Sequence, residues 1–225
     1  YFERLEIEPD YLCTFITADT AETDKNYNDA TSFSFWGLYK MKVGDVDTGM
    51  YGLHWINNWE LRVEPAELES KFIEFWVRCL MCKVKPAFAI IEEESTGVTL
   101  VSSLRKMPGL QVRGIKRKRN KNGDPITKSS RFISMQHYIN RRQITLPMGG
   151  AHTENCITHM SKITANDSHA FDDICDTAYD AVKTALIDET LIRMYDKIGR
   201  NDNSLLANSI ISKSKSIQRA YYGQR

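Results

Sequence analysis

Residues 11–18, YLCTFITA, alternate loosely between apolar and polar positions, are rich in β-prone types and run into Asp19, which predicts a strand ending at that aspartate. After the polar AETDKNYNDAT a second strand pattern, SFSFWGLYK, occupies 32–40. The turn-rich KVGDVDTG leads to a third, MYGLHWINNWEL, at 50–61. Connections this short predict an antiparallel meander. The pattern then changes period. Leu68, Phe72, Phe75, Trp76, Cys79 and Leu80 recur at i, i+4, i+7, i+8, i+11 and i+12 behind Pro65, which predicts a helix with one apolar stripe.

Ala87–Ile91 is short and wholly apolar, as a strand buried on both faces would be, and it ends at Glu92-Glu93-Glu94. Thr96 and Gly97 open a predicted helix over 97–106, and Leu110–Ile115 reads as another strand. The basic run 116–131 leads into a predicted helix near 129–140, followed by a brief strand, 143–146, stopped by Pro147. A helix from about 171 carries Ile174, Ala178, Ala181 and Ala185 on one face. The order predicts an α/β fold: a mixed sheet whose first three strands are antiparallel and the later ones parallel, with helices on both faces. Past Gly199 the chain becomes polar, and a weak apolar stripe (Leu206, Ile210, Ile217, Tyr221) follows. The chain is therefore divided into one domain over 1–198 and a linker with an amphipathic tail over 199–225.

Composition narrows the class. With 225 residues, 42% of them hydrophobic, the chain has enough apolar content for one sizeable core, and no apolar run approaches the ~20 residues of a membrane span. The start, YFERLEIEPD, is neither a signal nor a transit peptide, and without an initiator Met the chain reads as a piece of a longer protein. Five cysteines with no disulfide spacing suit a reducing, intracellular setting. The net charge of +1 conceals segregation: ten Lys or Arg residues stand between Arg113 and Arg142 against the single acid Asp124. Five aspartates and no Lys or Arg lie between Asp167 and Asp180.

Three groups of acids end or open predicted elements. Asp19 ends the first strand, Glu92 ends the buried fourth strand, and Asp172, Asp173 and Asp176 open the late helix at i, i+3 and i, i+4 spacing. If the first and fourth strands are neighbours, Asp19 and Glu92 emerge at one sheet edge, within reach of that helix start. Carboxylates so gathered repel one another unless a cation lies between them, and hard oxygen ligands suit Mg²⁺ or Mn²⁺. Two such ions would support phosphodiester hydrolysis. Taken singly, an Asp after a strand also serves as a turn residue, and acids at a helix start favour the helix dipole.

The segments FITADTAETDKNYNDATSFSFWG, AIIEEESTGVTLVSSL, KSSRFISMQHYINRRQITLP and HAFDDICDTAYDAV, in that order, resemble the C-terminal nuclease domain of the large terminase subunit of tailed bacteriophages. The resemblance covers most of residues 12–187. It implies an RNase H-like fold and a two-metal endonuclease, using two Mg²⁺ or Mn²⁺ ions, that cuts concatemeric double-stranded viral DNA during packaging. By position it implies Asp19, Glu92 and Asp173 as catalytic metal ligands, with Asp172 as the alternative to Asp173 and with Asp176 assisting. Asp29 would have a supporting role. The glutamate triplet leaves the register between Glu92 and Glu93 open, and Ala170-Phe171 separates His169 from the aspartate pair where many relatives have the two adjacent. The resemblance further implies a packaging ATPase domain, a small terminase subunit and a portal as partners, and a host-cytoplasmic setting. No GxxxxGK(S/T) occurs in this chain, so the ATPase is not part of it.

Lys116, Arg117, Lys118, Arg119 and Lys121, with Lys128 and Arg131 behind them, are the candidate DNA-backbone contacts. Lys128 and Arg131 have the alternative of pairing with the acids. Cys79 and Cys82 form a lone CxxC on an amphipathic helix, which argues against zinc. The histidines at 54, 137, 152 and 159 have no ligand spacing. Two further readings remain at this point: another RNase H-like nuclease, such as a junction resolvase or recombinase, and a non-catalytic DNA-binding module.

Overall fold

Seven strands form one sheet in the computed structural model, which describes residues 2–21, 30–117, 126–163 and 173–198. The strands are β1 (Glu3–Leu5), β2 (Tyr11–Asp19), β3 (Thr31–Val43), β4 (Val46–Leu61), β5 (Pro86–Glu92), β6 (Val112–Ile115) and β7 (Ile144–Pro147). The helices are α1 (Pro65–Cys79), α2 (Thr96–Leu104), α3 (Lys128–Asn140), α4 (Ala151–Ser161), α5 (Asp173–Val182) and α6 (Thr190–Ile198), with a π-helical segment (Lys183–Ile187) joining the last two. The sheet order is β1-β7-β4-β3-β2-β5-β6. As the pattern predicts, β2, β3 and β4 form an antiparallel meander, and β5, β6 and β7 join the sheet in parallel. Among the described residues no helix is long and apolar enough to cross a membrane.

β1, α4 and α6 were not predicted. β1 has three residues, too few to show a period, and is held by parallel pairing with β7. In α4 the buried stripe is only Thr153, Cys156 and Met160 in an otherwise polar helix.

The pleat of β2 and β5 sorts their side chains between two cores. Phe15, Phe88 and Ile90 join Trp36, Trp55 and the apolar residues of α3, α4 and α5. Ile16, Ala18, Ala89 and Ile91 join Phe33, Phe35 and the stripes of α1 and α2. Continuing each alternation by one step places Asp19 with Phe15 and Thr17, and Glu92 with Phe88 and Ile90, on the α5 side of the sheet.

α5 lies across β2 and β3, and its sheet-facing residues are small, with Ala178 and Ala181 buried. A buried polar network fixes the helix in position. The Thr17 hydroxyl donates to the Thr177 carbonyl at 2.9 Å and accepts from Trp36 Nε1 at 2.9 Å. The Thr177 and Ser34 hydroxyls are 2.8 Å apart, and Asn58 Nδ2 donates to Ser34 Oγ at 3.0 Å. Trp36 stacks on Trp55 with ring centroids 4.4 Å apart. Buried hydrogen-bond networks of this kind favour one arrangement, because sliding the helix leaves further buried groups unpaired.

Thr17→Val keeps the side-chain shape but leaves Trp36 Nε1 without its acceptor. We expect a loss of about 1–3 kcal/mol in urea unfolding, and an unchanged midpoint would contradict this role for the hydroxyl.

Candidate metal and nucleic-acid site

β2 and β5 are parallel neighbours, with Ala18 opposite Ile91, so Asp19 and Glu92 leave the sheet side by side. The turn after β5 reinforces this placement. Ser95 has a left-handed backbone (φ 46°), and a Cβ on Gly97 would come 2.0 Å from the Glu92 carbonyl oxygen, so the chain passes too close there for any side chain. Thr96 Oγ1 donates to the Ala21 carbonyl at 2.9 Å, tying the ends of the two strands together. Glu93 points to the opposite face and pairs with Arg105 on the α2 side. The structure thus brings Glu92, rather than Glu93, to Asp19.

From α5, Asp176 and Asp180 arrive one turn apart. All four carboxylates are buried, with relative exposures of 8% for Asp19, 6% for Glu92, 3% for Asp176 and 2% for Asp180. They converge on one guanidinium. Arg117 Nη1 lies 2.6 Å from Glu92 and 3.0 Å from Asp176, and its Nη2 lies 3.2 Å from Asp19 and 3.1 Å from Asp180. Arg131 meets Asp176 from the other side as a bidentate fork, Nε and Nη2 each 2.8 Å from a carboxylate oxygen, and its Nη1 donates to the Ile126 carbonyl at 2.7 Å.

Asp180 escapes the sequence reading because nothing but its i+4 spacing from Asp176 distinguishes it from the other aspartates of the run. Asp173 is the first residue of α5, three positions before Asp176. Asp172, Asp29, His169, Lys118, Arg119 and Lys121 lie outside the described residues, as does the tail over 199–225. Lys128 opens α3. Of the predicted DNA contacts that are described, Lys116 is exposed, whereas Arg117 and Arg131 turn inward to the carboxylates. A cavity of about 240 Å³ adjoins them, lined by Lys116, Arg117, Arg131, Tyr179, Asp180 and Lys183 among others.

Charge crowding shows in the proton affinities. Burial, and then the neighbouring Asp19, push the Glu92 carboxyl up to about 9. Burial raises Asp180 to about 6 against the pull of Arg117, and Asp19 is raised for the same first reason, with Asp176 adding to it. Burial works against the charge of Arg117, but Asp19, Asp180, Asp176 and Glu92 together outweigh it.

Among the described residues, no three His, Cys, Asp or Glu side chains stand close enough to hold a metal ion between them. The four carboxylates are spread around the width of a guanidinium. Their chemistry nonetheless fits a hard divalent cation: all the donors are oxygen, and Asp180 Oδ1 is buried with no hydrogen-bond partner among the described residues. Asp19, Glu92, Asp176 and Asp180 are the residues that would hold it.

A carboxyl whose folded pKa lies above its unfolded value stabilises the fold at low pH, and that stability is lost as pH rises toward the folded pKa. The share from Asp180 is lost by about pH 6, and the share from Glu92 continues to fall until about pH 9. In EDTA, the melting temperature of the wild type should therefore fall between these values more steeply than that of Glu92→Gln. Parallel curves would contradict the raised Glu92 pKa.

The sequence matches no protein-family model, and no curated protein matches it. In structure the chain is similar to the human cytomegalovirus terminase nuclease domain, with a TM-score of 0.50 and 12% identity over 78% of this chain and 85% of that one. The P22 large terminase nuclease domain superposes with a TM-score of 0.48 and 10% identity, over 83% of this chain and 86% of its own. The mixed seven-stranded sheet flanked by helices is an RNase H-like fold, which the chain shares with the cytomegalovirus terminase nuclease domain.

Proposed function

We propose that this chain is a metal-dependent DNA endonuclease that hydrolyses phosphodiester bonds at the cluster of Asp19, Glu92, Asp176 and Asp180. The observation that carries the reading is the convergence of four buried carboxylates, from two adjacent strand ends and one helix, on a single cationic position. Burying carboxyl groups costs stability, and a fold that gathers four of them at one point marks that point as a candidate site for a strongly charged ligand. The fold is that of terminase nuclease domains, which extends the proposal to the cutting of concatemeric viral DNA during genome packaging, beside an ATPase, a small subunit and a portal.

Two Mg²⁺ or Mn²⁺ ions, when bound, would supply an activated water and stabilise the leaving oxygen. The protein's own residues do the rest. Asp19 and Glu92 are fixed by adjacent strands, and Asp176 is oriented by its fork with Arg131. Asp173, one turn earlier on α5, completes the ligand set we propose, with Asp172 as its alternative. Lys116 and Lys183 line the cavity beside the carboxylates and would seat the negatively charged DNA backbone, with Lys118, Arg119, Lys121 and Lys128 extending the track. Backbone contacts of this type carry no base readout, so cutting is expected without sequence preference.

Nicking of supercoiled plasmid tests the reading directly. Wild type should nick in Mn²⁺, more slowly in Mg²⁺, and not at all in EDTA. Asp19→Asn, Glu92→Gln and Asp176→Asn should each lose about 100-fold or more, as expected when a group supporting transition-state charge is removed. Undiminished cleavage by all three variants would place the activity elsewhere. Binding without cleavage by every protein would favour a non-catalytic DNA-binding module.

The electrostatic track has its own signature. Lys116→Ala should lower the dependence of log affinity on log salt by about one contact and weaken all sequences alike. An unchanged salt slope would remove Lys116 from the DNA path.

A further inference from the structure

The two arginines at the carboxylate cluster are held in different ways. Arg131 is buried and clamped on both sides, by both oxygens of Asp176 and by the Ile126 carbonyl. Arg117 stands two residues beyond the last residue of β6, outside the sheet ladder. Its two terminal nitrogens are shared among the four carboxylates, while its Nε is buried with no hydrogen-bond partner among the described residues. The carboxylates are likewise incompletely used, since Asp180 Oδ1 is buried and unpartnered.

A guanidinium in this position is a monovalent cation set among donors suited to a divalent one. It satisfies the carboxylates in part, delivers one positive charge to four acids and holds their oxygens a guanidinium's width apart. Two species that both need the same oxygens exclude each other.

We infer that Arg117 is a built-in competitor for the metal site: its guanidinium and a divalent cation take the same carboxylates alternately, and metal binds as Arg117 is displaced. The inference rests on the metal-nuclease reading. Arg131 keeps Asp176 in place in both arrangements. The released Arg117 has the cavity beside it, lined by Lys116, Arg131 and Lys183 together with Asp180 and Asp188, where a DNA phosphate would be its counterion. Arg117 thus sets how tightly metal binds before DNA arrives.

Loss of free Mn²⁺ signal in electron paramagnetic resonance measures binding without reference to cleavage. Arg117→Gln should bind Mn²⁺ about tenfold or more tightly than wild type, because one opposing unit charge a few ångströms away is removed. Guanidinium chloride, added below denaturing concentration, should then compete with Mn²⁺ in Arg117→Gln and far less in wild type. A purely structural Arg117 would give no such competition. Equal or weaker Mn²⁺ binding by folded Arg117→Gln, alongside wild-type binding that Asp19→Asn abolishes, overturns the competition and leaves the nuclease reading intact. Absence of Mn²⁺ binding in every folded protein overturns both. Should Arg117→Gln not fold, the Nε–H resonance of Arg117 in the wild type decides. It should shift on titration with Mg²⁺, and an unmoved resonance at saturation overturns the inference.

Discussion

Four buried carboxyl groups share one position only with cations among them or protons upon them, and much of this fold is arranged around that constraint. The parallel pairing of β2 with β5 sets Asp19 beside Glu92, and the network of Thr17, Ser34, Trp36, Asn58 and Thr177 fixes α5 so that Asp176 and Asp180 meet them. Arg117 and Arg131 supply positive charge, but burial still raises the proton affinity of Glu92, a sign that the compensation is partial. The cluster is stable enough to exist and unsatisfied enough to take a ligand of higher charge.

The same constraint explains how the two faces of the sheet divide the work. The α1 and α2 side is apolar, with Phe33, Phe72, Phe75 and Ile91 packed among large side chains. The α5 side gives up part of its packing to hydroxyls, an amide and the acids at its edge. Rigid strand ends carry Asp19 and Glu92, and a helix anchored by hydrogen bonds carries the other two, so the site rests on elements rather than on loops. What the chain has in common with the cytomegalovirus terminase nuclease domain is the fold, at 12% identity.

Much of this was legible in the sequence because it depends on periodicity. The alternation of 11–18 and the unbroken apolar run 87–91 place Asp19 and Glu92 at strand ends, and the meander gives the antiparallel half of the sheet. What sequence could not supply was facing. Which member of the glutamate triplet joins Asp19 depends on the pleat, and Glu93 is sent to Arg105 instead. Arg117 looks like any other residue of a basic run, and its inward turn follows from where β6 ends relative to the carboxylates. Asp180 carries no signal beyond its spacing, since its burial depends on the axial position of α5. β1 is too short for any pattern to reveal.

The central claim is that β2, β5 and α5 together form one divalent-cation site. Crystals soaked in Mn²⁺, with diffraction recorded where manganese scatters anomalously, test it most directly. The account predicts an anomalous peak bonded to Asp19 and Glu92 together with at least one carboxylate of α5. A peak bonded to other residues, or none at saturating Mn²⁺ with the carboxylates free to bind, would contradict it.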